Sequence, residues 1–529
     1  MRNAVSEPAT VSTSPAEGAV PQPNRGTRRR YVVTKSVLEW LRWSWLGTRA
    51  HISINHRLDW AIAHVNAQIV HRQRLADATG LAQSAFAVPF GESVRIPGLF
   101  VVELFPPSES GQLQHAAQRH GWPDPPTDVR SQRQWNLGTF AATRRVVSGP
   151  HTRQAKLPRE FNEITLTAVQ IGEGITAVVA AFHMTDAAAR HVSDVWHRDH
   201  QPEIVRGRGE RPRSEAAQSV AVRRTQIARQ SMHDAARRWL ARTCPGFFAA
   251  NDEPQPLIDL MLFTRRRATL DESPTRPDET SYRALGLTDR HVIHTSSNIP
   301  AMTLERAPRT SHSYVDGVRT WALWGQRHEI VDQAIDFDVR SPDDEQAIVD
   351  YIGAGVRNHL TRLALSELLS VYHARYADMR DSARNRRGLF HTKHLEELRT
   401  SLLVLSLNVG SLERDIKEFN ESGLFSRDDS WCTVTAPWVS PQTPVNTTEL
   451  MIKEQSEMLT QLVLDDEQFR VLLSAAVSLT SSIEGLRASR LAKLIAAASL
   501  SVSLAMVLCS DVAEHPRFNA LVSWLIHLG

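Results

Sequence analysis

The sequence predicts an α+β protein: a mixed α/β domain over residues 31–340, then a long helical coiled-coil stalk over 341–486, then a C-terminal membrane helix within 487–529. Three observations carry this reading. Phe161 to Phe182 alternates as a β-hairpin around Gly172-Glu173-Gly174. Leu395, Leu398, Leu402, Leu405, Val409, Leu412, Ile416 and Phe419 recur at intervals of three and four, the spacing of a helix-pairing seam. Leu494 to Ser510 carries no charge and follows directly on the basic residues Arg487, Arg490 and Lys493.

Composition sets the outer limits. A chain of 529 residues with 42% hydrophobic content has material for a large core and more than one domain. The 61 basic and 58 acidic side chains leave a formal charge of +3, so no specific nucleic-acid partner is indicated. Cys244, Cys432 and Cys509 lie far apart and form no Cys-x-x-Cys pair, which points away from a disulfide framework and from a thiolate zinc site.

In chain order, residues 1–30 are rich in Pro, Ser, Ala and Glu and predict a disordered tail. Lys35, Glu39 and Arg42 interrupt the residues behind Arg28-Arg29-Arg30, so no signal peptide is read there and the N-terminal bulk is expected in the cytoplasm. Trp40, Trp43 and Trp45 fall on a short helix from Val37 to Leu46, where core packing is favoured over a stacking platform or membrane-surface anchor. A helix over Leu58 to Leu75 and a strand over Ser93 to Phe105 follow. The second arm of the hairpin, Ile175 to Phe182, is nearly continuously apolar, which predicts a sheet covered on both faces by helices.

The cluster His191, Asp194, His197 and His200 is the one group with metal-ligand chemistry. His191 and His197 are six residues apart and diverge on a helix. A solvated helix end, whose histidines complement the helix dipole, is therefore favoured over a metal site. Residues 202–214, with Arg206, Arg208, Arg211 and Arg213, read as a basic linker, and Glu215 to Thr243 as a helix stopped by Pro245-Gly246. Strands are expected at Leu257 to Phe263 and His291 to His294, with Trp321 and Trp324 in the core.

Ser341-Pro342-Asp343-Asp344-Glu345 announces a helix that runs to about Ala383, and Arg386-Arg387-Gly388 breaks it before the leucine seam. A loop from Glu421 to Pro444 with Trp431 and Trp438 precedes the last helix. That helix begins near Asn446 and carries a second seam of Phe469, Leu472, Ala476, Leu479, Ile483 and Leu486. Nothing breaks it before Leu494, and from Thr448 to Ser510 it predicts a rod of roughly 95 Å. Asp465-Asp466 is read as a solvated face, with a cation-sensing site as the alternative.

The order of elements (α/β domain, paired long helices, one very long helix passing Arg487, Arg490 and Lys493 into an apolar segment) resembles the CorA-type divalent-cation channels. The resemblance implies a homo-oligomer joined through the stalk helices, two membrane helices per chain, and a divalent cation as ligand or cargo. Where that family carries Gly-Met-Asn, residues 511–517 read Asp-Val-Ala-Glu-His-Pro-Arg. Residues 518–529 make about 18 Å of helix against roughly 30 Å of hydrocarbon, so a short, non-spanning helix is expected there, as a half-helix, re-entrant or interfacial, with Trp524 as its anchor.

Leu494, Ile495, Val502 and Leu508 form the apolar surface of the membrane segment. Ser499, Ser503 and Met506 lie on a stripe suited to close helix packing or, in a ring of subunits, to a narrow pore; packing is favoured. No phosphate loop, Gly-x-Ser-x-Gly or His-Glu-x-x-His is present, so no enzyme class and no resident cofactor are expected. The expectations are a CorA-like membrane protein that conducts cations or, alternatively, a membrane-tethered sensor with a ligand-binding cytoplasmic domain.

Overall fold

The computed structural model of the chain describes residues 25–43, 52–77, 88–123, 133–142, 152–205, 213–268, 279–287, 292–307, 319–333, 345–385, 392–421, 430–435 and 443–512. In chain order the elements are α1 (Arg25–Trp43), α2 (Ile52–Asp77), β1 (Val94–Phe105), a 3-10 turn (Pro107–Glu109), α3 (Ser110–His120), β2 (Gln134–Ala141), β3 (Thr152–Gln154), β4 (Phe161–Gln170) and β5 (Thr176–Met184). There follow α4 (Asp186–Trp196), β6 (Glu203–Val205), β7 (Arg213–Glu215), α5 (Ala217–Thr243), α6 (Phe247–Ala250), β8 (Leu257–Phe263), α7 (Glu279–Tyr282), β9 (Val292–Ser296), β10 (Ile299–Arg306) and β11 (Thr320–Gln326). The last are α8 (Arg327–Gln333), α9 (Glu345–Asn385), α10 (Thr392–Glu421), β12 (Trp431–Thr435), β13 (Val445–Asn446) and α11 (Thr447–Val512).

Eleven strands form one mixed sheet in the order β13-β12-β9-β10-β11-β8-β1-β5-β4-β2-β3. The pairs β8 with β11 and β2 with β3 are parallel, and the others are antiparallel. The hairpin of β4 and β5 closes at Gln170 opposite Thr176, as the alternation predicts. Side chains along β1 alternate between two cores: Leu99 and Val101 meet α4 and α5, while Phe100, Val102 and Leu104 meet α9 and the helices beyond it. The protein is thus a mixed α/β structure with helices on both faces of a large sheet.

The expected boundary at 340/341 does not separate two cores. Ile348, Val349, Ile352 and Val356 of α9 are buried against Phe100, Ile258 and Leu323 of the sheet, in one cluster with Leu412 and Phe419 of α10 and Leu462 of α11. The reason is that α9 is the cover for one sheet face. Its Gly353 lies so close to the sheet that a Cβ there would come 2.8 Å from the ring of Phe100. Strands β12 and β13 cross the boundary too, since Trp431–Thr435, expected in a loop, pairs with β9 at the sheet edge.

Other boundaries also move. Arg25 to Arg30, expected in the tail, are helical, and α1 packs on α2. The ends of the basic linker 202–214 form the antiparallel ribbon of β6 and β7, because Glu203 to Val205 pairs with Arg213 to Glu215. The remaining tail (1–24), Arg206, Arg208 and Arg211, the cap Ser341–Asp344, the break at 386–388, Trp438 and the terminal segment 513–529 with Trp524 lie outside the described residues.

Candidate functional site

The four metal-type residues do not converge. His197 places Nδ1 2.7 Å from the Ser193 carbonyl oxygen and Nε2 3.0 Å from that of Glu92, and His200 places Nε2 2.8 Å from the Val195 carbonyl. His191 and Asp194 are exposed on α4. Thr185, just ahead of them, caps the helix by accepting from the Ala188 N–H. Among the described residues no group of three or more His, Cys, Asp or Glu side chains is placed to hold a metal ion.

Four of the arginines of α5, Arg223, Arg224, Arg229 and Arg237, are internal ties. Arg229 clasps the buried Asp259 through Nε at 2.5 Å and Nη2 at 2.8 Å, and His233 Nε2 lies 2.9 Å from the same carboxylate. Burial opposes ionisation of Asp259, but Arg229 and His233 outweigh it and hold the carboxyl down at about 2. Arg223 and Arg224 pair with Glu203. Arg238 and Arg242 of the same helix are exposed.

A cavity with mixed chemistry lies on the other face of the sheet, where β1 ends. It has a volume of about 350 Å³ and is bounded by the 3-10 turn, α6, α9 and α10. Its floor is aromatic: the rings of Phe247 and Tyr372 meet edge to face at 5.3 Å. The Arg375 guanidinium stands 5.2 Å from the centre of the Phe247 ring and donates to the Asn251 side-chain oxygen. Glu109 and Asp378 line the cavity without an ion-pair partner among the described residues. The Tyr372 side chain is fully buried, so its hydroxyl does not face the open space of the cleft. Asn408 lies beside it, with its amide committed to Ser108, donating to the hydroxyl at 3.0 Å and accepting from the N–H at 3.3 Å.

The same turns that line this cleft fasten the last helix. Asp466 of α11, expected on a solvated face, is buried and accepts hydrogen bonds from the Tyr376 hydroxyl at 2.7 Å and from the Ser406 hydroxyl, and it pairs with Arg470 at 2.8 Å. Tyr376 is one helical turn from Tyr372, and Ser406 stands between the cleft residues Leu405 and Asn408. Burial and then Asp466 push the Tyr376 phenol well above its ordinary value, so it stays a donor. Cleft and anchor point are therefore neighbouring faces of one three-helix junction. Sequence reading missed it because Asp466 occupies an interior heptad position that hydrophobic patterning discards.

Beyond the junction α11 leaves the fold. Every side chain from Ser489 to Ser503 is exposed, including Arg490, Lys493 and Ser499, with Leu494 at 69%, Ile495 at 58% and Val502 at 56%; Met506 follows at 69%. Ser501 and Ser503 return their hydroxyls to the carbonyls of Ala497 and Ser499, at 2.6 and 2.8 Å. The side chains of Arg487 and Leu508 lie outside the described ones. Among the described residues no helix is long and apolar enough to cross a membrane.

The chain matches no family model, no curated protein and no solved structure. The functional reading therefore rests on the cleft, the junction and the bare end of α11.

Proposed function

We propose that this chain is a membrane-anchored, self-associating protein of CorA-like architecture. In this reading the α/β body lies on the cytoplasmic side, α11 carries it onto the bilayer, and a ring of α11 helices passes divalent cations. One observation carries the reading: α11 runs without a break from a packed core into a segment whose described apolar side chains, among them Leu494, Ile495 and Val502, are exposed. Such a surface needs lipid or another copy to cover it. Arg490 and Lys493 at its base favour a body on the cytoplasmic side. The serine hydroxyls bonded to the helix's own carbonyls reduce the penalty of burying them in lipid or between helices.

Flux of magnesium, cobalt or nickel into liposomes carrying the purified full-length protein tests the transport part. A saturable cation flux, abolished when Ser499 and Ser503 are replaced by leucine, is the expected result. No flux under any cation or voltage would leave the second reading, a membrane-tethered sensor. The cleft favours that reading specifically, because its lining residues alternate with those that hold Asp466 of α11.

A further inference from the structure

We propose that the cleft between the 3-10 turn, α6, α9 and α10 binds a free α-amino acid, with a basic side chain preferred to an acidic one. The site is built of groups that complement both ends of such a molecule. Arg375 is held in place by Asn251 and by the rings of Phe247 and Tyr372, and its remaining N–H groups suit a carboxylate. Glu109 and Asp378, which have no cationic partner among the described residues, suit an ammonium group. Phe247, Leu405 and Met379 supply an apolar wall for an aliphatic stem.

Other ligand classes fit less well. A volume of about 350 Å³ is at the small end of ligand cavities, which suits a single small metabolite. A nucleotide or polyphosphate would set its negative charge against two carboxylates with one guanidinium to offset them. A bare metal ion would face the Arg375 guanidinium, and no cluster of ligating residues is placed to hold it. The lining carries two carboxylates and one guanidinium, a formal balance of 1 − 2 = −1, which a basic amino acid neutralises.

The site does not depend on where α11 resides, so this proposal and the membrane reading fail separately. Calorimetric titration of the purified full-length protein uses lysine, its decarboxylated diamine, glutamate and acetate as probes. Lysine should bind saturably, with the diamine and glutamate weaker by about tenfold or more, and acetate silent. Arg375→Gln should bring lysine and the diamine to equal affinity, a change that a merely structural role does not produce. Asp378→Asn, at an exposed position on α9, should weaken lysine about tenfold while leaving the melting temperature unchanged. Absence of binding for all twenty common amino acids, or affinities untouched by Arg375→Gln and Asp378→Asn, would overturn the proposal.

Discussion

At the scale of single residues, the buried carboxylates do different work. Glu103, near the C-terminal end of β1, accepts from the N–H groups of Phe248 and Ala249 at 2.7 and 3.2 Å and from Gln255 at 2.7 Å. Burial still dominates and pushes its carboxyl from 4.5 up to about 7. The folded state therefore holds a proton that the unfolded state has lost between these values, and stability falls as pH rises through that window, by about 3 kcal/mol. The difference in urea-unfolding stability between the native protein and Glu103→Gln, followed from pH 4 to 8, should show this slope. Asp415 of α10 makes a positional demand instead. It accepts from the Gly174 N–H at 2.8 Å, and a Cβ on Gly172 would come 2.5 Å from its carboxyl carbon. Gly172→Ala should destabilise by about 1–3 kcal/mol, read by the same unfolding measurement.

At the scale of elements, α11 is buried along Thr448, Gln455, Leu459, Leu462, Asp466, Phe469 and Leu473, a strict heptad stripe in which three of seven members are polar. Reading apolar residues alone joins Phe469 to Leu472, but Leu472 is 62% exposed and Leu473 is the buried neighbour. Leu462→Ala should cost about 2–5 kcal/mol. Leu472→Ala should change stability by less than about 0.5 kcal/mol, and equal costs at the two sites would restore the seam read from hydrophobicity. The first seam was legible because its positions are all apolar: Leu402, Leu405, Val409, Leu412, Ile416 and Phe419 are all buried inside the chain. The hairpin and β8 were legible because alternation in β4 and nearly continuous apolar runs in β5 and β8 leave a direct trace in the sequence. The cleft was not, because Glu109, Phe247, Tyr372, Arg375 and Asn408 come from four distant segments and no local pattern joins them. Trp431 to Thr435 carried a readable signal in Thr433-Val434-Thr435, but five residues between turn-rich flanks gave too short a run.

At the scale of the whole molecule, a sheet covered on both faces passes through a three-helix junction to one helix whose side chains from Ser489 to Ser503 are all exposed. The junction ties the cleft to α11 through Tyr376, Ser406 and Asp466, so a ligand that shifts α9 against α10 shifts the seat of α11 with them. The central claim is that the bare end of α11 holds this body on a membrane. The most direct measurement compares the full-length protein with a version truncated after Arg487, by fractionation followed by an alkaline carbonate wash. Full-length protein retained in the membrane pellet, with the truncated version released to the supernatant, is the predicted result. Full-length protein recovered from the soluble fraction without detergent would contradict it.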